Sequence, residues 1–221
     1  MSTFWSSRKL PFAWVLLGVT NFLLLGASSL TASGLSVLVL VAEEGDHRVP
    51  ASHEAVAFWN DRLAELGIDT RLEEPRLAVA SPALRLLENY ARQVVQRATR
   101  LPAGQAEPAP PADLSDLDAD IVVLLSRQDI MSFTWPMPRI TPRRYFLVVR
   151  SVRGPYRDDA MVTRHVIAHE LGHALGLGHN LETHTLMCGP CQPLTAEPDD
   201  TGFLPLTDGD RVRLVEMNSL R

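Results

Sequence analysis

The chain has 221 residues, 46% of them hydrophobic and 21% charged, a balance that suits one globular domain with a buried core. Its formal net charge of -5 argues against a nucleic-acid-binding surface, and no basic cluster interrupts the sequence. Lys9 is the only lysine, so nearly all the positive charge is arginine.

Arg8 and Lys9 form a positive leader, residues 10–25 are an uncharged apolar run, and Ala27-Ser28-Ser29 offers small residues at the spacing a signal peptidase reads. That run falls short of the roughly twenty residues a spanning helix needs, so residues 1–30 read first as a cleaved signal peptide. Apolar character continues with interruptions through Leu30 and Leu35, which leaves an uncleaved N-terminal membrane anchor, with a tether over residues 10–30, as the second reading. Either way the remainder is expected to be exported, secreted or anchored on the extracytoplasmic side. Cleavage after Ser29 removes two positive charges and no acids, taking the net charge from -5 to about -7.

Residues 35–42, rich in Val and Leu, predict a strand buried on both faces. Ser52 is placed to cap a helix carrying Ala55, Val56, Phe58, Trp59, Leu63 and Leu66, with Gly67 ending it. Residues 68–72 and 77–80 are short strand candidates on either side of Pro75. Ser81-Pro82 opens a second helix, with Leu84, Leu87, Ala91, Val94, Val95 and Ala98 on one face and arginines from Arg85 to Arg100 around the rest. Residues 101–113 follow as a Pro/Ala-rich loop. Residues 119–126 and 145–152 predict two more buried strands, while residues 131–135, just before Pro136 and Pro138, suit a sheet edge. A helix is expected from Asp158-Asp159 to Leu175, with Val166, Ile167, Leu171, Ala174 and Leu175 against the sheet. After a loop over residues 192–205, Thr207 caps a last helix over 208–220. The pattern is α/β (or α+β), one domain over residues 35–221.

The chemistry concentrates in His169-Glu170-Leu171-Gly172-His173-Ala174-Leu175-Gly176-Leu177-Gly178-His179. On a helix His169 and His173 project from one face, one turn apart. Two imidazoles so placed can bind one Zn²⁺, and Glu170 can handle protons at the metal. Gly176 can end the helix in a left-handed conformation, which lets the chain turn back and bring His179 round as a third ligand, with the fourth position open for water. Met187 follows inside Thr185-Leu186-Met187-Cys188.

That run, with its nearby methionine, is the long metzincin signature, and over residues 161–190 the chain resembles a metzincin zinc endopeptidase, most like the matrixin branch. The resemblance implies a twisted, mostly parallel sheet with packed helices above a cleft, and an irregular lower subdomain with a Met-turn and a C-terminal helix. It implies one catalytic Zn²⁺ on His169, His173 and His179, with peptide or protein substrates hydrolysed by zinc-activated water. Glu170 is then general base and afterwards general acid. Met187 is expected beneath the metal as a hydrophobic floor, Gly189-Pro190 near the pocket for the residue after the cut bond, and residues 131–135 as the edge strand that pairs with substrate. A minimal matrixin domain has no call for residues 81–113, so they read as an insertion. Calcium, common in matrixins, is not legible, because no acidic cluster has ligand spacing. His165 reads as packed rather than ligating, and His184 as a weaker candidate for an extra ligand.

Cys188 and Cys191 form Cys-Gly-Pro-Cys, a thioredoxin-type redox motif, which makes a thiol-disulfide oxidoreductase the main rival function. The motif needs a helix starting on it, and Gln192-Pro193 and the residues after them read as a loop. A local disulfide bracing the Met-turn fits an exported chain better. A zinc-binding but non-catalytic metzincin-like module is the other alternative.

Overall fold

The computed structural model describes residues 34–100, 108–137, 143–151, 160–191 and 202–219, with the side chains of 99, 100 and 219 excepted. The expected signal peptide or anchor, Asp158-Asp159 and most of the 192–205 loop lie outside the described residues. In chain order the elements are β1 (Gly34–Leu35), β2 (Val37–Val41), α1 (Arg48–Glu65), β3 (Arg71–Leu72), β4 (Arg76–Val79) and α2 (Leu84–Arg100). They continue with α3 (Ala112–Ser115), β5 (Ile121–Leu125), β6 (Phe133–Pro136), β7 (Tyr145–Val149), α4 (Ala160–Ala174) and α5 (Asp208–Ser219). Among the described residues no helix is long and apolar enough to cross a membrane.

Five strands pair in the order β4-β2-β5-β7-β6, all parallel except β6, which runs antiparallel to β7 at the edge. β1 and β3 form a separate parallel pair. The fold is therefore α/β with a mostly parallel sheet. The consecutive Val and Leu of β2 and β5 are buried at every position, as strands covered on both faces require. Alternation then divides the core. Val37, Val39, Val41, Ile121, Val123, Leu125, Leu147 and Val149 face α1 and α4, with Trp59, Leu63, Ile167 and Leu171. Leu38, Leu40, Val122, Leu124, Phe146 and Val148 face α2, with Leu87, Tyr90, Ala91 and Val94. Helix α2, read from sequence as part of an insertion, is thus the cover of one whole sheet face.

Several boundaries differ from the sequence reading, each for a local reason. The first predicted strand breaks at Ser36, whose amide and hydroxyl both bond to the Asp120 carboxylate at 2.9 and 2.7 Å. Helix α1 starts at Arg48, one turn ahead of the expected cap, and Ser52 lies inside it with its hydroxyl on the Arg48 carbonyl. Asp46 explains the early start, because its carboxylate accepts from both the Arg48 amide and its guanidinium. The edge strand begins at Phe133 rather than 131, and it includes Pro136, which an edge tolerates. Gly67 closes α1 with φ 68°, and Thr207 and Asp210 cap α5 reciprocally, each amide on the other's side chain at 3.0 Å.

Arg48 is the buried charge that ties α1 to the sheet. Its guanidinium pairs with Asp46 and donates to the carbonyls of Ser126 at 2.8 Å and Leu125 at 3.1 Å, at and just past the end of β5. Burial opposes the ionised Asp46 carboxyl, but the hydrogen bonds and charge of Arg48 hold it below its usual value. Arg48→Ala is expected to cost about 3–5 kcal/mol, because it strands a buried carboxylate and two carbonyls. Urea unfolding checks this, and adding Asp46→Ala should cost less than the two single losses combined.

Candidate metal centre

The last turn of α4 builds the centre. Gly176 has φ 103°, the Gly176 amide bonds to the His173 carbonyl, and the Leu177 amide reaches back to Gly172, each at 3.0 Å. This closure reverses the chain and uses helix carbonyls that would otherwise lack partners. A Cβ on Gly176 would also press on Met217 of α5 at 3.3 Å. The turn then frees the Leu177 carbonyl to accept from His173 Nδ1 at 2.9 Å, while His169 Nδ1 donates to the Leu186 carbonyl at 2.7 Å.

Those two bonds fix the tautomers. With Nδ1 donating to a carbonyl, the neutral rings of His169 and His173 carry bare lone pairs on Nε2. Both point at His179, whose Nε2 lies 3.1 Å from that of His169 and 3.2 Å from that of His173. A single N–H on His179 cannot satisfy both, so the cluster gathers more acceptors than donors. Two nitrogens at about 2.0–2.1 Å from one zinc at a tetrahedral angle would stand about 3.3 Å apart, close to what is found. The ligand atoms of all three residues lie within 4.8 Å of one another, and the group could hold a metal ion.

Comparison with protein-family models and with curated proteins finds no match.

Around the histidines the structure adds contacts that motif reading does not supply. Thr134 of β6 places its hydroxyl 2.8 Å from Glu170 Oε2 and 2.7 Å from the Glu170 carbonyl. Met187 is wholly buried beneath α4, where a Cβ on Gly172 would strike its sulfur at 2.5 Å and the Trp59 ring at 2.9 Å. Cys188 and Cys191 are joined by a disulfide, and between them Gly189 backs the His179 ring so closely that a Cβ would meet its Cγ at 2.7 Å. Asn180, directly after the third histidine, bonds through its amide to Met187 and through its carbonyl to the Gly189 amide, both at 2.8 Å. Its side chain reaches Asp210, which joins this turn to the start of α5. The sequence singles out neither Thr134, beyond its place in the edge strand, nor Asn180; no spacing rule points to either.

His165 is buried, donates Nδ1–H to the Met161 carbonyl and accepts the Leu204 amide, so it holds the 202–206 segment to α4 rather than joining the cluster. His184 is exposed and outside it. Val166, expected against the sheet, is only half-buried and lines a cavity of about 700 Å³ beside His169, Glu170 and His179. A second cavity of about 370 Å³ lies beside His173 and Thr134.

Burial pushes the Glu170 carboxyl up to about 7, with the Thr134 hydrogen bond opposing. Burial takes His169 down to about 4, its Leu186 bond opposing and the neighbouring histidines adding, and lowers His173 in the same way. A carboxyl raised in the fold costs stability as pH climbs from its unfolded value near 4.5 to about 7, whereas a histidine lowered in the fold costs stability as pH falls from 6.5 to about 4. In chelated protein the difference between Glu170→Gln and the wild type isolates the first effect. It should be near nil at pH 4 and grow to about 3 kcal/mol in favour of the variant at pH 8, read by urea unfolding. Gly189→Ala should leave the fold standing yet weaken metal binding about ten- to a hundredfold by displacing His179, measured against a chromophoric chelator.

Proposed function

We propose that this chain is a zinc-dependent endopeptidase of metzincin type, closest to the matrixin branch. The observation that carries the reading is the convergence of the His169, His173 and His179 Nε2 atoms, two of them with lone pairs fixed toward the third. Three imidazole nitrogens suit Zn²⁺ and leave a coordination position over, as catalytic sites require. Zinc so held supplies Lewis-acid polarisation of a carbonyl and acidifies water.

The chain's own groups supply the rest. Glu170 is the general base, taking a proton on its carboxylate from water and returning it to the departing amide nitrogen. A divalent charge beside it favours the ionised form, so the carboxyl that burial raises is drawn back toward the base. Thr134 steadies Oε2 from the strand side. Among the described residues the outer edge of β6 has no partner strand, and an extended peptide can add there by main-chain hydrogen bonds. The apolar N-terminal run and the Cys188–Cys191 disulfide support an exported location, secreted or anchored. The disulfide-exchange alternative is less well supported: Cys188, the cysteine that would be attacked first in such a motif, is 3% exposed.

Quenched peptide substrates test the reading. Glu170→Gln should retain stoichiometric metal and lose about 10²–10⁴-fold in turnover, while His173→Ala should lose the metal itself. Undiminished cleavage by the Gln variant, or by protein stripped with a chelator, would reject it.

A further inference from the structure

The two cavities beside the histidine cluster differ in charge from the chain as a whole. The larger has apolar walls, Val162, Val166, Leu186 and Leu204 among them, and one arginine, Arg150. The smaller, beside His173, contains Arg143 and Arg213. Apart from Glu170, no acidic side chain among the described residues lines either, although the chain carries a net charge of -5.

Among the described residues these arginines keep donors uncommitted. Arg48 pairs with Asp46 and Arg127 with Glu88, but the guanidinium groups of Arg150 and Arg143 have no ion pair or hydrogen bond among the described residues. Arg213 commits only its Nε, to the Gly176 carbonyl at 2.8 Å, and keeps its two terminal nitrogens. A half-buried guanidinium against apolar walls is matched by a side chain with an aliphatic stem and an anionic end. On the other flank a pair of exposed cations favours further negative charge.

We propose that the cleft selects acidic peptides, with a glutamate or aspartate side chain entering the larger cavity against Arg150 and acidic residues on the other side of the cut bond facing Arg143 and Arg213. Arg150 is then the specificity-determining residue. This deepens the endopeptidase reading and rests on it.

The test uses the full metal-loaded chain and one peptide scaffold with Glu, Gln or Lys on either side of the cleavage point. The Glu peptide should exceed the Lys peptide in kcat/KM by about tenfold or more at low ionic strength, with the advantage shrinking in about 0.5 M salt. Arg150→Gln should flatten the preference and Arg150→Glu reverse it at the position after the cut. Fluorescence anisotropy of the same labelled peptides on metal-loaded Glu170→Gln reads the preference without turnover. Equal binding and cleavage of the three peptides, or a Glu preference untouched by Arg150→Glu, would overturn the proposal. Selective binding of the Glu peptide with no cleavage by the wild-type chain would retain the cleft's preference for acidic peptides and reject the peptidase reading instead.

Discussion

Two hydrogen bonds, His169 Nδ1 to the Leu186 carbonyl and His173 Nδ1 to the Leu177 carbonyl, are the constraint on which the centre depends. An imidazole free to turn about its side-chain bonds offers either nitrogen in many directions. One held through Nδ1 offers Nε2 in a single direction, with its lone pair exposed. The two acceptors come from different places: one from the glycine-closed end of α4, the other from the segment that carries Met187. Both must be in position before the rings are.

Much of the surrounding structure serves that placement. The Leu177 carbonyl is where it is because Gly176 takes a backbone angle that other residues rarely adopt. The Leu186 carbonyl is held because the Leu186 amide bonds to Pro205 at 2.9 Å while Met187 fills the space under Gly172. Helix α4 is in turn fixed to α1 by the Trp59 indole, which donates to the Ala168 carbonyl at 2.8 Å immediately before the first ligand. A displacement anywhere along this series reaches the Nε2 atoms directly, since packed cores have little slack to absorb it.

The parts legible in the sequence are those governed by local chemistry. The continuous aliphatic runs of β2 and β5, the glycine ends of α1 and α4, and the Thr207 cap each follow from residue type and spacing, and each is found within a few residues of its expected position. Long-range partners were not legible. The tie between α1 and the sheet depends on Arg48 reaching carbonyls at Leu125 and Ser126, far along the chain. What α2 covers was not legible, because its pattern shows an apolar face without showing what that face packs against. Thr134 and Gly189 touch Glu170 and His179 only once β6 and the disulfide loop are folded beside α4.

The same geometry sets function against stability. Glu170 is 6% exposed, and its one side-chain hydrogen bond, from Thr134, does not offset the loss of water. Beside it, burial lowers the pKa of His169 and His173, so neither ring supplies the positive charge a buried carboxylate needs. A fold selected for stability alone would replace Glu170 with an apolar residue and pair the histidines with donors. Two acceptors aimed at a third imidazole nitrogen and a desolvated acid are unfavourable separately and become mutually consistent once a cation lies among them. The strain of the isolated arrangement is thus the strongest physical argument for reading it as a metal site.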